Sequence, residues 1–268
     1  MKTPLLDVDI PSIYKNSQGV PVQLPKRLAR ATPDMTTAMA GIAADLSALT
    51  GRLVLSDLFR TYDMQMQAHL DYVNKKKRAF SPPPGGSFHE GGRAMDLSLP
   101  ALKMSLDDFW VLAKKHNVVP IISQPNSSLD EAWHFECRGS HQVVIDYYRN
   151  RAGSNFKSPY AAGAASAILA IGVRVDQFGS AQKEAQLQAA LIRCGHEIGN
   201  LDGAIGVLTR AALTSLGLAG ATLDDALAHV EDIAQKTFRG EYKVVDQSIL
   251  ALTEQLEIKS PGHVVLDA

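Results

Sequence analysis

GSFHEGGRAMDL, residues 86–97, is the stretch whose reading decides the fold, and EAWHFE, residues 131–136, completes it. The first places His89 and Asp96 seven positions apart among the glycines Gly85, Gly86, Gly91 and Gly92, which allow the backbone to turn tightly. The second adds His134, with Glu131 three positions before it. Two imidazoles and one carboxylate form an open three-ligand set suited to catalytic zinc, whereas a structural zinc site is closed by four ligands rich in cysteine. Glu131 is then the spare carboxylate that can serve as a base.

Working outward, RAMDLSL at 93–99 alternates Ala94, Asp96 and Ser98 against Met95, Leu97 and Leu99. That period predicts a strand, stopped by Pro100, with Asp96 on the face opposite the apolar residues. AWHFECR at 132–138 predicts another strand, with Trp133, Phe135 and Cys137 on the core face and His134 and Glu136 on the other. AFSPPPGGS at 79–87 is a loop leading to the site, because three successive prolines remove backbone donors. LVLSDLF at 53–59 reads as a short buried strand that delivers Arg60 to a loop.

Thr32, Pro33 and Asp34 open a helix with Met35, Met39, Ile42, Leu46 and Leu49 on one face, and Gly51 ends it. A second helix is expected over roughly 63–77, with Met64, Ala68, Leu70 and Val73 as its apolar positions. Ser105 caps a third, with Asp107 and Asp108 in its first turn and Phe109, Leu112 and Ala113 facing the core. VVPII at 118–122 is a further short strand, and the prolines scattered through residues 1–30 mark an extended lead-in.

With 268 residues, 46% of them hydrophobic, the chain can bury a sizeable core, and two domains are expected. A formal net charge of -1 argues against nucleic acid as a partner, since phosphate binding calls for clustered Lys and Arg. The one basic run, KKKR at 75–78, reads as a solvated helix end. Cys137 and Cys194 are too few for a disulfide framework or a cysteine cage and read as idle thiols. No apolar run and cleavage site of a classical signal peptide stands at the N-terminus, and no stretch of eighteen apolar residues predicts a membrane span. His69, His116, His141, His196, His229 and His263 lack a partner pattern and read as surface or capping residues.

SFHEGGRAMD resembles the S-x-H-x-x-G-x-A-x-D motif of the LAS zinc peptidases, which include VanY-type D-alanyl-D-alanine carboxypeptidases and L-alanyl-D-glutamate endolysins. Ser87, His89, Gly92, Ala94 and Asp96 stand at its fixed positions, and Glu131, Trp133 and His134 match the family's E-x-W-H. FRTYDMQ resembles Y-R-[ST]-x-x-x-Q, giving Arg60, Thr61 and Gln65, with Phe59 in place of tyrosine. The resemblance covers roughly residues 35–148. It implies an α+β fold of the LAS or hedgehog type, a small antiparallel sheet with flanking helices around a Zn2+ site held by His89, Asp96 and His134. It further implies Glu131 as catalytic base, Arg60 as a cation for the reacting carbonyl or a substrate carboxylate, and Ser87 and Gln65 as substrate-binding residues.

Residues 186–218 resemble the small helical peptidoglycan-binding domain with the pattern Q-x-x-L-x-x-x-G…D-G-x-x-G-x-x-T-x-x-A-L. Gln188, Leu191, Gly195, Asp202, Gly203, Gly206, Thr209, Ala212 and Leu213 match it. Asp202-Gly203 suits a tight turn, and Gly206 suits a close approach to the next helix. The expected organisation is a peptidase domain over 1–150, a linker partly wound into a helix over 151–180, a helical wall-binding domain over 181–240, and a tail over 241–268. Helices are expected near 181–194, 207–216 and 223–238, with SILALTEQLE at 248–257 as a further candidate.

The implied function is hydrolysis of peptidoglycan stem peptides by zinc-activated water, as a D-Ala-D-Ala carboxypeptidase or D,D-endopeptidase. The alternatives are an L-alanyl-D-glutamate endopeptidase and a non-catalytic, zinc-stabilised wall binder. The implied setting is the bacterial periplasm or cell wall, reached by lysis, a secretion machine or a leader trimmed from the chain, with the protein a monomer.

Overall fold

The structure, a computed structural model, describes residues 2–243. The helical candidate at 248–257 and His263 lie outside the described residues. The chain is mixed α+β. Its first part runs β1 (Leu6–Asp7), β2 (Pro11–Lys15), β3 (Pro21–Gln23), β4 (Arg30–Ala31), α1 (Pro33–Ala48), β5 (Leu55–Asp57), α2 (Tyr62–Val73), β6 (Ala94–Leu97), α3 (Leu106–Lys115), β7 (Val119–Pro120) and β8 (His134–Glu136). Five helices follow: α4 (His141–Arg149), α5 (Pro159–Ala170), α6 (Gln182–Arg193), α7 (Val207–Ser215) and α8 (Leu223–Thr237).

Six strands form one sheet in the order β3-β2-β5-β6-β8-β7. The sheet is mixed and not wholly antiparallel as expected, because β2 of the N-terminal lead-in joins β5 in parallel. Its centre is antiparallel, with Asp57 opposite Asp96 and Asp96 opposite His134. Alternation along β6 divides its residues between two cores: Met95 and Leu97 join α1 and α3 through Met35, Ile42, Leu46 and Phe109. Ala94, on the other face, lies with Phe88, Ile145, Ala164 and Ala167. Phe109 and Phe135 meet edge to face at 4.9 Å across the first core.

Pro33 opens α1 and Ser105 caps α3, its hydroxyl accepting from the Asp108 amide at 3.1 Å, as the sequence predicts. Two expected apolar faces are shorter than their patterns. Leu49 is exposed beyond the end of α1, and α2 ends at Val73 with Leu70 and Val73 exposed and Gln65 its sole buried residue. The face of α2 turned inward therefore serves polar contacts near the site and not the core.

The expected linker, over 151–180, contains the helix α5, which has nine consecutive buried residues from Ala162 to Ala170. Its small side chains permit close helix contact: a Cβ added to Gly163 would lie 2.4 Å from Ile145 Cγ1 of α4. A third core joins α4, α5, α6 and α8 through Val144, Ile168, Leu191 and Val230. No helix among the described residues is long and apolar enough to cross a membrane.

Candidate metal centre

The glycine-rich loop carries His89 to the sheet, and two glycines control its path. Gly92 has φ +67°, a left-handed conformation that glycine adopts without strain, and its carbonyl accepts from the Thr32 amide at 3.0 Å. A Cβ on Gly91 would lie 2.8 Å from Ala167 Cβ, so the loop sits directly on α5. Glu90 braces the same loop, accepting from the amides of Gly85 and Ser87 at 3.0 and 3.3 Å. Burial outweighs these bonds and pushes its pKa up to about 7.

His89, Asp96 and His134 are all buried, and one ligand atom from each lies within 4.8 Å of the others. His89 comes from the loop, Asp96 from β6 and His134 from the neighbouring β8. His89 Nδ1–H donates to the Leu58 carbonyl at 2.7 Å, which leaves Nε2 as the acceptor nitrogen. That Nε2 is buried 3.3 Å from Asp96 Oδ1 and makes no hydrogen bond among the described residues. His134 Nε2–H donates to Glu136 Oε1 at 3.0 Å, while Nδ1 faces Asp96 Oδ1 at 2.9 Å. Each imidazole thus has one nitrogen held by a buried acceptor and the other directed at the aspartate, the arrangement that orients metal-binding histidines. This buried group can hold a metal ion.

Its electrostatics follow from the clustering. Burial opposes charge on His134, but hydrogen bonds to Asp96 and Glu136 prevail and push its pKa up to about 10. Burial likewise opposes charge on Asp96, yet the two histidines hold its pKa well below the usual carboxylate range. Glu131 Oε2 is 4.0 Å from His134 Nδ1 at the partly open side of the cluster. Burial raises the Glu131 pKa against the pull of His134. Its φ of +69° is strained for a side-chain-bearing residue, costing about 1–3 kcal/mol, and such strain gathers at functional sites.

The other expected site residues lie behind the three ligands. Arg60 donates to Asp57 at 2.6 Å, to Gln65 at 3.2 Å and to Asp96 Oδ2 at 3.2 Å, so it holds the oxygen of Asp96 that faces away from the histidines. Gln65 is buried and also donates to Ser81 and the Pro82 carbonyl, tying Arg60 to the proline loop. Ser87 is buried, and its hydroxyl accepts from the His89 amide at 3.3 Å. Both side chains brace the loop. Arg60 and Lys77 line a cleft of about 300 Å³ together with Asp57 and Met64. Lys77 is half-buried, while the rest of the KKKR run is exposed, which corrects the reading of that run as wholly solvated.

Two further expectations change, and two residues join the site. Trp133 is half-buried and outside the main cores, while Phe135 and Cys137 on its expected face are buried. His141 is wholly buried against Ser166 Oγ at 2.9 Å, not a surface residue. Glu136 and Tyr160 were not among the expected site residues. Glu136 is fully buried and accepts from His134, from Arg138 Nε at 2.6 Å and from the Tyr160 hydroxyl. The strand alternation that turns His134 inward also turns Glu136 inward and could have flagged it. Tyr160, on α5, carries no comparable signal.

In the helical part, Gln188 explains much of the matched pattern. Its amide donates to Asp202 Oδ1 and the Ala204 carbonyl at 3.0 Å, and its oxygen accepts from the Gly203 amide at 2.7 Å. Leu191, Thr209 and Ala212 are buried. Gly206 caps α7, and an added Cβ would meet nothing nearer than 4.0 Å, so the expected close approach is absent there. Neither a protein-family model nor a curated protein matches the chain.

Proposed function

We propose that the chain is a zinc-dependent hydrolase of the LAS type acting on peptidoglycan stem peptides, with removal of a terminal D-alanine or cleavage of a D,D cross-link as the favoured reaction. The observation that carries the reading is the convergence of His89 Nε2, Asp96 and His134 Nδ1 with the Glu131 carboxylate alongside. The donor set fits zinc: both nitrogens are presented by held imidazoles, and His89 Nε2 is buried without a hydrogen bond. Bound zinc would supply Lewis acidity and a water ionisable near neutral pH.

The protein groups divide the remaining work. Glu131, whose carboxylate burial makes more basic while leaving it open enough to reach a ligand, takes a proton from water and passes it to the leaving nitrogen. Arg60 holds Asp96 in place from behind. Arg60 and Lys77 line the adjoining cleft beside Asp57 and Asp71, so the cleft offers both cationic and anionic groups to a substrate. The Gln188–Asp202–Gly203 turn in the helical part supports a wall-binding role there, through the resemblance of its pattern.

Glu131→Gln should lower peptide release from purified peptidoglycan by about 10²–10⁴-fold while retaining one zinc per chain. Undiminished release removes Glu131 from the mechanism. Mass spectrometry of products from defined muropeptides then assigns the bond. Loss of a single alanine identifies the carboxypeptidase, a cut after L-alanine identifies the endolysin activity, and wall binding without any cut identifies a non-catalytic binder.

A further inference from the structure

We infer that Tyr160, on α5 in the helical part of the chain, is a positioning residue of the metal centre, acting on His134 through Glu136. The hydroxyl of Tyr160 donates to Glu136 Oε1, the same oxygen that accepts from His134 Nε2 at 3.0 Å. Arg138 closes the arrangement, with Nε 2.6 Å from Glu136 Oε2 and its guanidinium 5.9 Å from the centre of the Tyr160 ring. Glu136 is fully buried, so the orientation of its carboxylate rests on these three donors and not on water.

The carboxylate has one task that matters to the metal centre: it keeps the proton on His134 Nε2 and thereby presents Nδ1 toward Asp96. Removing the phenolic donor loosens the carboxylate and, with it, the imidazole. The Tyr160 ring is fixed in turn by an edge-on contact with Phe88, 5.4 Å between centres, one residue before His89. One side chain of α5 therefore touches the supports of both histidines. Because α5 also packs on α6 through the helical core, the helical part contributes directly to the metal centre and is more than an appendage that locates it on a wall.

The inference rests on the metal centre proposed above and not on which bond is cut. Zinc affinity of the full chain is measured by competition with a chromophoric chelator, for the wild type and for Tyr160→Phe, Glu136→Gln and the double variant. Tyr160→Phe should bind zinc about 10–100-fold more weakly, with the melting temperature of the metal-free protein little changed. In the Glu136→Gln background the same substitution should cost much less, because the relay is already broken. A wild-type chain that takes up no zinc overturns the metal centre and this inference together. Wild-type binding with equal affinity in Tyr160→Phe overturns the inference alone, as does an equal loss in both backgrounds. Should Tyr160→Phe not fold, the hydroxyl proton of Tyr160 is followed by NMR in the wild type. It should shift on addition of zinc, and an unmoved resonance overturns the inference.

Discussion

His134 sets protonation against metal binding. In the metal-free protein its two nitrogens face Asp96 and Glu136, and its pKa is pushed up to about 10, above the value of about 6.5 for an unfolded histidine. The stability this gives the metal-free fold is complete below about pH 6.5 and is lost as pH rises through about 10. A metal must displace the Nδ1 proton, so apparent affinity should rise about tenfold per pH unit between pH 7 and 9. Calorimetry at pH 8 in two buffers of different ionisation heat should detect close to one proton released per metal bound. No release would show that Nδ1 is not a donor. His134→Ala should lose the metal altogether, and a variant that still holds one zinc per chain would rule out the site.

The loop of residues 85–92 and α5 form the element on which the site depends most. Gly91 lies so close to Ala167 that an added methyl forces one of them to move, and neither is the end of a flexible side chain. Gly91→Ala should therefore destabilise the fold by about 1–3 kcal/mol, read from urea unfolding, and should weaken zinc binding through the displaced His89. Unchanged stability and affinity would mean that the loop does not bear on α5. At this scale the run AAGAASAILA misleads a reader of sequence: small residues mark linkers, but they also mark helices that approach each other closely. Only the presence of α4 on the other side of Gly163 distinguishes the two.

Across the whole molecule, Glu241 joins parts that lie far apart in the chain. Its carboxylate meets Arg93 Nη2 at 3.1 Å, just before β6, and Arg193 Nη2 at 2.7 Å on α6, and it accepts from the Ser140 amide and hydroxyl after β8. Burial opposes its charge, but the two guanidiniums outweigh burial and hold its pKa below the ordinary glutamate range. Its contribution is therefore present above about pH 4.5 and lost as pH falls through the lower folded value. His141 beside it is kept neutral by burial and by the same arginines, so stability also declines as pH falls below about 6.5. Glu90, raised to about 7, and Glu131, also raised, act in the opposite sense as pH falls towards 4.5. The His141 effect is therefore read as the difference in urea midpoint between the wild type and His141→Gln, which should shift against the wild type from pH 7 to pH 4. Glu241→Ala leaves two buried arginines short of a partner and should cost about 3–5 kcal/mol at pH 7. A loss below 1 kcal/mol would show that the network is dispensable.

His89, Asp96 and His134 are legible in the chain from strand alternation, glycine-rich turns and the motifs they complete, because these are short-range properties. The cap of α3 and the start of α1 are legible for the same reason. The roles of Gln65, Arg60 and Ser87 are not, since whether a polar side chain meets a ligand or a neighbour depends on what the fold brings against it. Tyr160, Glu241 and His141 are further still from any local signal. Their partners are separated from them by 24, 101 and 25 positions. Burial and pairing arise only when distant segments are brought together, and it is the close seating of α5 against β6 and the His89 loop that makes one buried centre of the three ligands and their supports.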